Sequence, residues 1–461
     1  MPPAHARHGD FAPASLAAAL PTLAATALFC CTFLYIWVSF SPFPDLTHMD
    51  QAAAPGVASN RANQLAALVL LSLLVGYVLA FGRHSLILRP RILLFIIFVW
   101  LLAVSLPSPE PLFAIRRLAM AAIVCTAASV MLLLPRDERH FAAMLAACTG
   151  LVLALCYAGV MLFSRYAVHQ FTDELEPLLE GDWRGLYSHK NTAGTVMVVA
   201  VLFGLYVTRV LGPFVGLPIV LLAGVFLLFT GSKTSAAMLP ATLAIAFLVV
   251  RLRYVRALVV VGALAGVWTL TIGSAVSERI AGVVKALGID PTFTLRTEVW
   301  SLALEHIPRK PLLGHGYQSF WRNTDLMHGF REEFSWAVNA VNAHNSYLDL
   351  LLTAGIPGTL LMMVFLVALP LRYIAQAERH GARRRLTELY TRIWIFGLLA
   401  GCLESILFDT IGVVWFSMLM AIFGLRLQAR AHLRPDGGRP AAPYRASAAT
   451  GSSRAALRAG R

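Results

Sequence analysis

Long apolar runs, almost free of charge, recur from one end of this chain to the other. They fall at 16–41, 65–82, 92–106, 113–134, 142–164, 192–209, 214–230, 236–250, 257–275, 347–369, 393–408 and 410–427. A hydrocarbon core takes about 20 residues of helix to cross, and only helices or closed barrels satisfy every backbone group inside it. Runs of this kind predict an all-α polytopic membrane protein with about 12 transmembrane helices. Composition agrees, with 58% of residues hydrophobic, 13% charged and a mean hydropathy of +0.69. Several runs fall short of about 20 residues, so boundaries are expected to move by a few positions.

The basic residues orient the chain. Arg83, Arg89 and Arg91 follow the second run, and Arg136 and Arg139 follow the fourth. Arg251, Arg253 and Arg256 follow the eighth, and Arg372, Arg379, Arg383, Arg384, Arg385 and Arg392 the tenth. The 107–112 loop has no Lys or Arg. Basic loops stay on the cytoplasmic side, which puts both termini inside and the 165–191 and 276–346 segments outside. The net charge of +14 then reflects this bias, and nucleic-acid binding is a poor explanation for it.

Four regions follow: a bundle of about nine helices over 1–275, a large outer loop over 276–346, further helices over 347–428, and a basic tail over 429–461. The Arg-, Gly-, Pro- and Ser-rich composition of that tail predicts a disordered segment lying against anionic membrane lipids. All six cysteines lie in apolar runs, away from the outer loops where oxidation would pair them, and read as packing residues. The first run is too long for a signal-peptide core and reads as a retained span.

Chemistry is concentrated in the outer loop. Arg296 carries a permanent charge on a planar donor fork suited to phosphate oxygens. A helix over Leu295–Ile307 would place Arg296 and Trp300 on one face and lie along the membrane surface; the plainer reading is a snorkelling arginine. His344 stands at the head of the tenth run, where a histidine can take a proton from a sugar hydroxyl; such a base predicts activity falling on the acid side at about pH 6–7. An interfacial histidine bonded to a carbonyl is an equal reading. Asn345 either orients a substrate or caps the helix. Gly355 and Gly358, flanking Pro357, read as a kink or a close packing point.

Two more outer loops bring a cation to a helix end. His189-Lys190-Asn191 closes the 165–191 segment, and Ser232-Lys233-Thr234 forms a short loop. Helix N-termini favour anions, so Lys190, Lys233 and Arg296 together predict a polyanion site such as one for a diphosphate. Arg116 and Arg117, near the outer end of the fourth run, are secondary candidates for phosphate or lipid-head contact. Glu404 and Asp409 fall near the end of the eleventh run, where Glu404 also reads as the partner of a basic neighbour. No Asp-x-Asp is present, Glu174-Leu175-Glu176 being the nearest approach, and there is no Walker loop.

His189-Lys190-Asn191, Ser232-Lys233-Thr234, Arg296-x-x-x-Trp300, Gly314-x-Gly316 and His344-Asn345 followed by Gly355-x-x-Gly358 resemble, in this order, the O-antigen ligase and O-antigen polymerase superfamily. The resemblance covers about 189–358, and the layout of about 12 spans extends it. It implies a metal-independent glycosyltransferase of the helical C type, without a cofactor, in the bacterial inner membrane. The donor implied is an undecaprenyl-diphosphate-linked oligosaccharide on the periplasmic side. The acceptor is a second lipid-linked repeat in polymerases and lipid A core in ligases. Carried over, Arg296 binds the diphosphate with help from Lys190 and Lys233, and His344 acts as base or orients the acceptor. His189, Asn191, Asn345 and His315 join as substrate-orienting groups.

Trp300 departs from the Leu common in ligases, and the His-Lys-Asn and Ser-Lys-Thr elements are closer to the exopolysaccharide polymerase branch, which favours polymerase. Polysaccharide export or chain-length proteins are the partners implied. Two competing readings are a lipid-linked glycan transporter, which should show repeated halves and midplane sites, and a non-catalytic export subunit.

Overall fold

The computed structural model describes residues 16–38, 42–46, 61–81, 91–173, 177–323 and 340–430. Arg83, Arg89, Glu174-Leu175-Glu176, the middle of the outer loop over 324–339 and the tail beyond 430 lie outside the described residues. The described chain is all-α, with one isolated bridge between Val168 and Trp183.

The helices are α1 (Leu16–Val38), α2 (Arg61–Ala80), α3 (Ile92–Ser105), α4 (Pro111–Val130), α5 (Glu138–Leu162), α6 (Lys190–Leu211), α7 (Pro213–Phe229), α8 (Lys233–Arg251) and α9 (Arg256–Val276). Two short helices of the 276–346 segment follow, α10 (Glu278–Ala286) and α11 (Arg296–His306). The chain ends on α12 (Ser346–Arg379, with a π turn at Val364–Ala368), α13 (Arg384–Ala400) and α14 (Val413–Arg430). Among the described residues nine helices are long and apolar enough to cross a membrane, and α3 and α7 are shorter apolar helices. The chain is a polytopic membrane protein.

Burial sorts the bundle into centre and rim. Along the apolar stretch of α6 and of α14, 78% of residues are buried, against 17% for α2 and for α9. Phe95, Phe214, Leu221, Leu228, Phe247 and Leu258 face outward; such a surface would aggregate in water and suits lipid. α13 departs from the run expected at 393–408. Its first half is too polar for a hydropathy window, because Arg384 and Arg392 share Glu388 with Arg209 of α6. The helix therefore starts at 384 and ends at 400. Residues 401–412 form a non-helical connector, and Glu404 and Asp409 lie in it.

The described part of the 276–346 segment is built on protein. Val299, Trp300, Leu302 and Ala303 of α11 are buried with Ile272 of α9, Phe320, Ala343, Leu348 and Leu352 in a second core beside the main one. The surface-lying helix expected over 295–307 is thus corrected: α11 docks between α9 and α12, which buries both Arg296 and Trp300.

α12 is kinked where the next loop docks. Gly355 has φ +64°, and a Cβ there would lie 2.4 Å from the Leu312 carbonyl oxygen. Pro357 has no N–H to give the Thr353 carbonyl, so Gly316 donates to it at 3.1 Å. The Leu352 carbonyl accepts from His315 at 2.7 Å, and Ile356 donates to Pro311 at 2.8 Å. Gly358 leaves room for Trp100, whose indole donates to Ala354 at 2.9 Å. The Pro311–Gly316 loop therefore takes over hydrogen bonds that the helix gives up.

Candidate active site

Among the described residues seven non-glycine residues have left-handed backbone: Phe43, beside Leu186, and Phe293, Thr294, Leu295, Gln318, His344 and Phe408 around α11 and the head of α12. Each costs about 1–3 kcal/mol, and such outliers gather at functional sites. The three before Arg296 are held by Asp290, whose carboxylate accepts from the Thr292 and Thr294 N–H groups, both at 3.0 Å. Phe293 packs on Trp300 with ring centroids 5.5 Å apart. This turn delivers Arg296 as the first residue of α11.

Arg296 reaches the connector. Its Nη2 donates to Glu404 Oε1 at 2.8 Å, and its Nη1 donates to the Leu403 carbonyl. The other carboxylate oxygen, Oε2, lies 3.5 Å from His344 Nδ1. Burial would raise the Glu404 carboxyl, but the Arg296 guanidinium and the His344 ring outweigh it and hold it at about 2. Arg296 is nearly enclosed, with 9% of its side chain exposed, whereas His344 keeps 26%. Of this trio, the histidine is the group open to a substrate.

The connector is fastened to the head of α12 residue by residue. Asn345 caps α12, its Oδ1 accepting from Tyr347 and Leu348 N–H at 3.0 and 3.2 Å, while its Nδ2 donates to Cys402 at 2.8 Å. Ser346 Oγ donates to the Glu404 carbonyl and accepts from Ile406 and Leu407. Asp349, half-buried one turn further, accepts from Trp321 Nε1 at 2.7 Å, from Ala343 N–H at 3.1 Å and from Ser405 Oγ. Further along, Tyr317 donates to the Phe408 carbonyl at 2.6 Å, and Arg117 Nε donates to Thr410 at 3.2 Å. Burial raises the Asp409 carboxyl against the opposing charge of Arg117. Arg116, one residue away, is exposed.

The remaining candidates form a second cluster. Lys190 opens α6 and pairs with Asp182 at 2.6 Å. His189 caps the same helix by accepting from Asn191 N–H at 3.0 Å. His169, buried, takes the Lys190 N–H on Nε2 at 3.2 Å and faces Asp173 through Nδ1 at 2.9 Å. This pattern fits the neutral ring with its proton on Nδ1. Burial pulls His169 below its ordinary value, against the pull of Asp173. The Lys233 loop joins this cluster, since Gly231 packs on Asp182 and Ser232 on Gly194 of α6. Lys233 itself is exposed at the first position of α8.

Arg296 and His344 therefore meet through Glu404, while Lys190, Lys233, His189 and Asn191 gather on other elements. His315 belongs to neither group: it is buried against Phe320, and burial lowers it to about 4. Sequence reasoning missed Asp349, which lies in an apolar run, and gave Glu404 no more than an unnamed partner. Among the described residues no group of three or more His, Cys, Asp or Glu is placed to hold a metal ion.

Residues 218–363 match the family model described as O-Antigen ligase. That match makes this segment, about a third of the chain, similar to the O-antigen ligase family. It contains Lys233, Arg296, His315, His344, Asn345 and the Gly355 kink, and it stops before Glu404. The chain is also similar to the exopolysaccharide production protein ExoQ of Rhizobium meliloti (strain 1021), 30% identical over 92 residues. That match covers 18% of this chain and 20% of the relative.

Proposed function

We propose that this protein is a glycosyltransferase of the bacterial inner membrane, with both termini cytoplasmic and the 276–346 segment periplasmic. It takes a glycan from undecaprenyl diphosphate and passes it to an acceptor hydroxyl. The observation that carries this reading is the meeting of Arg296 with the partly exposed His344 across Glu404, inside and beside the matched segment. In the proposed reaction His344 takes the proton of the acceptor hydroxyl as its oxygen attacks the anomeric carbon. The new glycosidic bond forms as the bond from that carbon to the diphosphate oxygen breaks, and undecaprenyl diphosphate leaves with the electron pair. Arg296 neutralises the departing charge, assisted by Lys190, Lys233, Arg116 and Arg117. His189, Asn191, Asn345 and His315 act through positioning, since three of them cap or pack rather than project. No metal or cofactor is assigned to the reaction.

The acceptor is a second lipid-linked repeat, which makes the enzyme a polymerase. The tripeptides at Lys190 and Lys233 and the likeness to an exopolysaccharide production protein support this choice. The family description favours a second reading, a ligase that uses lipid A core. A transporter fits less well, because the polar candidates gather at one end of the bundle and not at a midplane. Chain-length and export proteins are proposed partners. The test offers the purified protein a lipid-linked oligosaccharide with and without lipid A core. Longer lipid-linked chains without core are expected; transfer that begins only when core is added would make it a ligase.

A further inference from the structure

Among the described residues, Arg91 is a cation with no carboxylate beside it. It stands, half-buried, at the head of α3, whose far end meets Tyr317 through Ser105 at 3.0 Å. Its guanidinium lies over the Phe423 ring of α14, 5.0 Å from the centroid, and its Nε is buried without a hydrogen-bond partner. Arg426, three residues along α14 and so on the Phe423 face, is close enough to repel it. The other groups acting on Arg91 are the Cys125 thiol of α4 and the Tyr373 phenol of α12, both uncharged at neutral pH. We propose that Arg91 and Arg426 form a binding site for the phosphate diester of an anionic phospholipid.

Three observations point to that ligand. The elements around Arg91 bring no free acid: residues 51–109, 111–130 and 410–435 contain no Asp or Glu. Of the acids on α12, Asp349 lies at the opposite end, and Glu378 holds Arg256 at 2.6 Å. A half-buried cation pressed by a second one is costly at the membrane, so its counter-ion comes from outside these elements. The placement is also unlike that of a snorkelling arginine, which carries its head into water, whereas this head is turned onto Phe423. Finally, acyl chains have a place beside the headgroup. Ile92, Phe95, Ile96 and Val99 are exposed and share one face of α3, starting at the residue after Arg91. A phosphate diester offers a guanidinium fork two anionic oxygens, and basic pockets between membrane helices take such head groups. A soluble phosphate would meet the cations but leave the α3 stripe bare.

The test titrates delipidated, full-length protein in detergent with phosphatidylglycerol, phosphatidylcholine or glycerol phosphate, reading lipid bound and thermal midpoint. Phosphatidylglycerol should bind saturably and raise the midpoint. Phosphatidylcholine, whose own cation meets the arginines, should bind at least about tenfold more weakly. Glycerol phosphate as effective as the lipid would assign a soluble phosphate and overturn the proposal. Arg91→Gln should weaken phosphatidylglycerol binding about tenfold or more, and Arg426→Gln about threefold or more, as charge-assisted contacts are lost. Arg139→Gln, which removes an exposed arginine of α5, should stay within about threefold of wild type. Equal losses in all three variants would mean diffuse attraction to the surface and overturn the site, as would wild-type affinity in Arg91→Gln or Arg426→Gln. Without lipid, Arg91→Gln should melt no lower than wild type, since it removes a charge that no described group offsets. A clearly lower midpoint there would show that the chain itself satisfies Arg91 and end the proposal.

Discussion

At the scale of single residues, Arg296 and Glu404 form a buried pair whose partners are 108 positions apart in sequence. Lys cannot reproduce the fork that serves Glu404 and the Leu403 carbonyl together. Arg296→Lys should therefore lower transfer by about 100-fold or more at normal protein level, as expected for a lost transition-state charge contact; near-normal product would remove Arg296 from the reaction. His315 gives a pH prediction of definite sign. Burial lowers it from 6.5 to about 4, so the folded chain binds fewer protons than the unfolded chain between those values. Its contribution to stability is complete above about pH 6.5 and is lost as pH falls toward about 4. Thermal midpoints in detergent should drop from pH 7 to pH 5, and His315→Phe should flatten that drop; an equal drop in the variant would contradict it. Arg296, His344 and Lys190 were legible in the sequence because a charge beside an apolar run stands out. Their partners were not, since nothing local to Glu404 or Asp349 says which distant N–H or guanidinium they meet.

At the scale of elements, the kink in α12 and the loop docked on it behave as one unit. Gly355→Ala places a methyl carbon against the Leu312 carbonyl, on a backbone with φ +64°. It should cost about 2 kcal/mol or more, seen as a lower thermal midpoint and folded yield. Unchanged stability would show that the loop moves aside freely. Asp349 ties Trp321, Ala343 and Ser405 to the first turns of α12. Removing a half-buried acceptor that serves three donors, as in Asp349→Ala, should destabilise by about 2 kcal/mol or more and let His344 drift. A variant with wild-type melting and transfer would refute that role. The apolar periods placed most helices, and Gly355, Pro357 and Gly358 announced the kink. The run at 393–408 misplaced α13 because polar residues at its start are neutralised by distant partners, which hydropathy cannot register. α11 looked like a surface helix for the same reason: a periodic apolar face does not say whether lipid or protein covers it.

At the scale of the whole molecule, two clusters of cations and bases share the end of the bundle opposite the ion pairs of Arg256 with Glu378 and Arg383 with Glu138. Those inner pairs belong to the basic loops that the charge rule places in the cytoplasm. Single cysteines introduced at Lys285 and Lys310 should react with an impermeant thiol reagent from the periplasm, and one at Arg253 should not; the reverse pattern would invert the topology and end the account. The central claim is that Arg296 and His344 form a transfer site for a lipid-diphosphate-linked glycan. The most direct test gives the purified protein that lipid-linked oligosaccharide as its sole substrate and separates the products by size. The account predicts a ladder of longer chains with release of undecaprenyl diphosphate, both lost in His344→Ala at equal folded protein. A ladder undiminished in that variant, or no release of the lipid diphosphate, would contradict it.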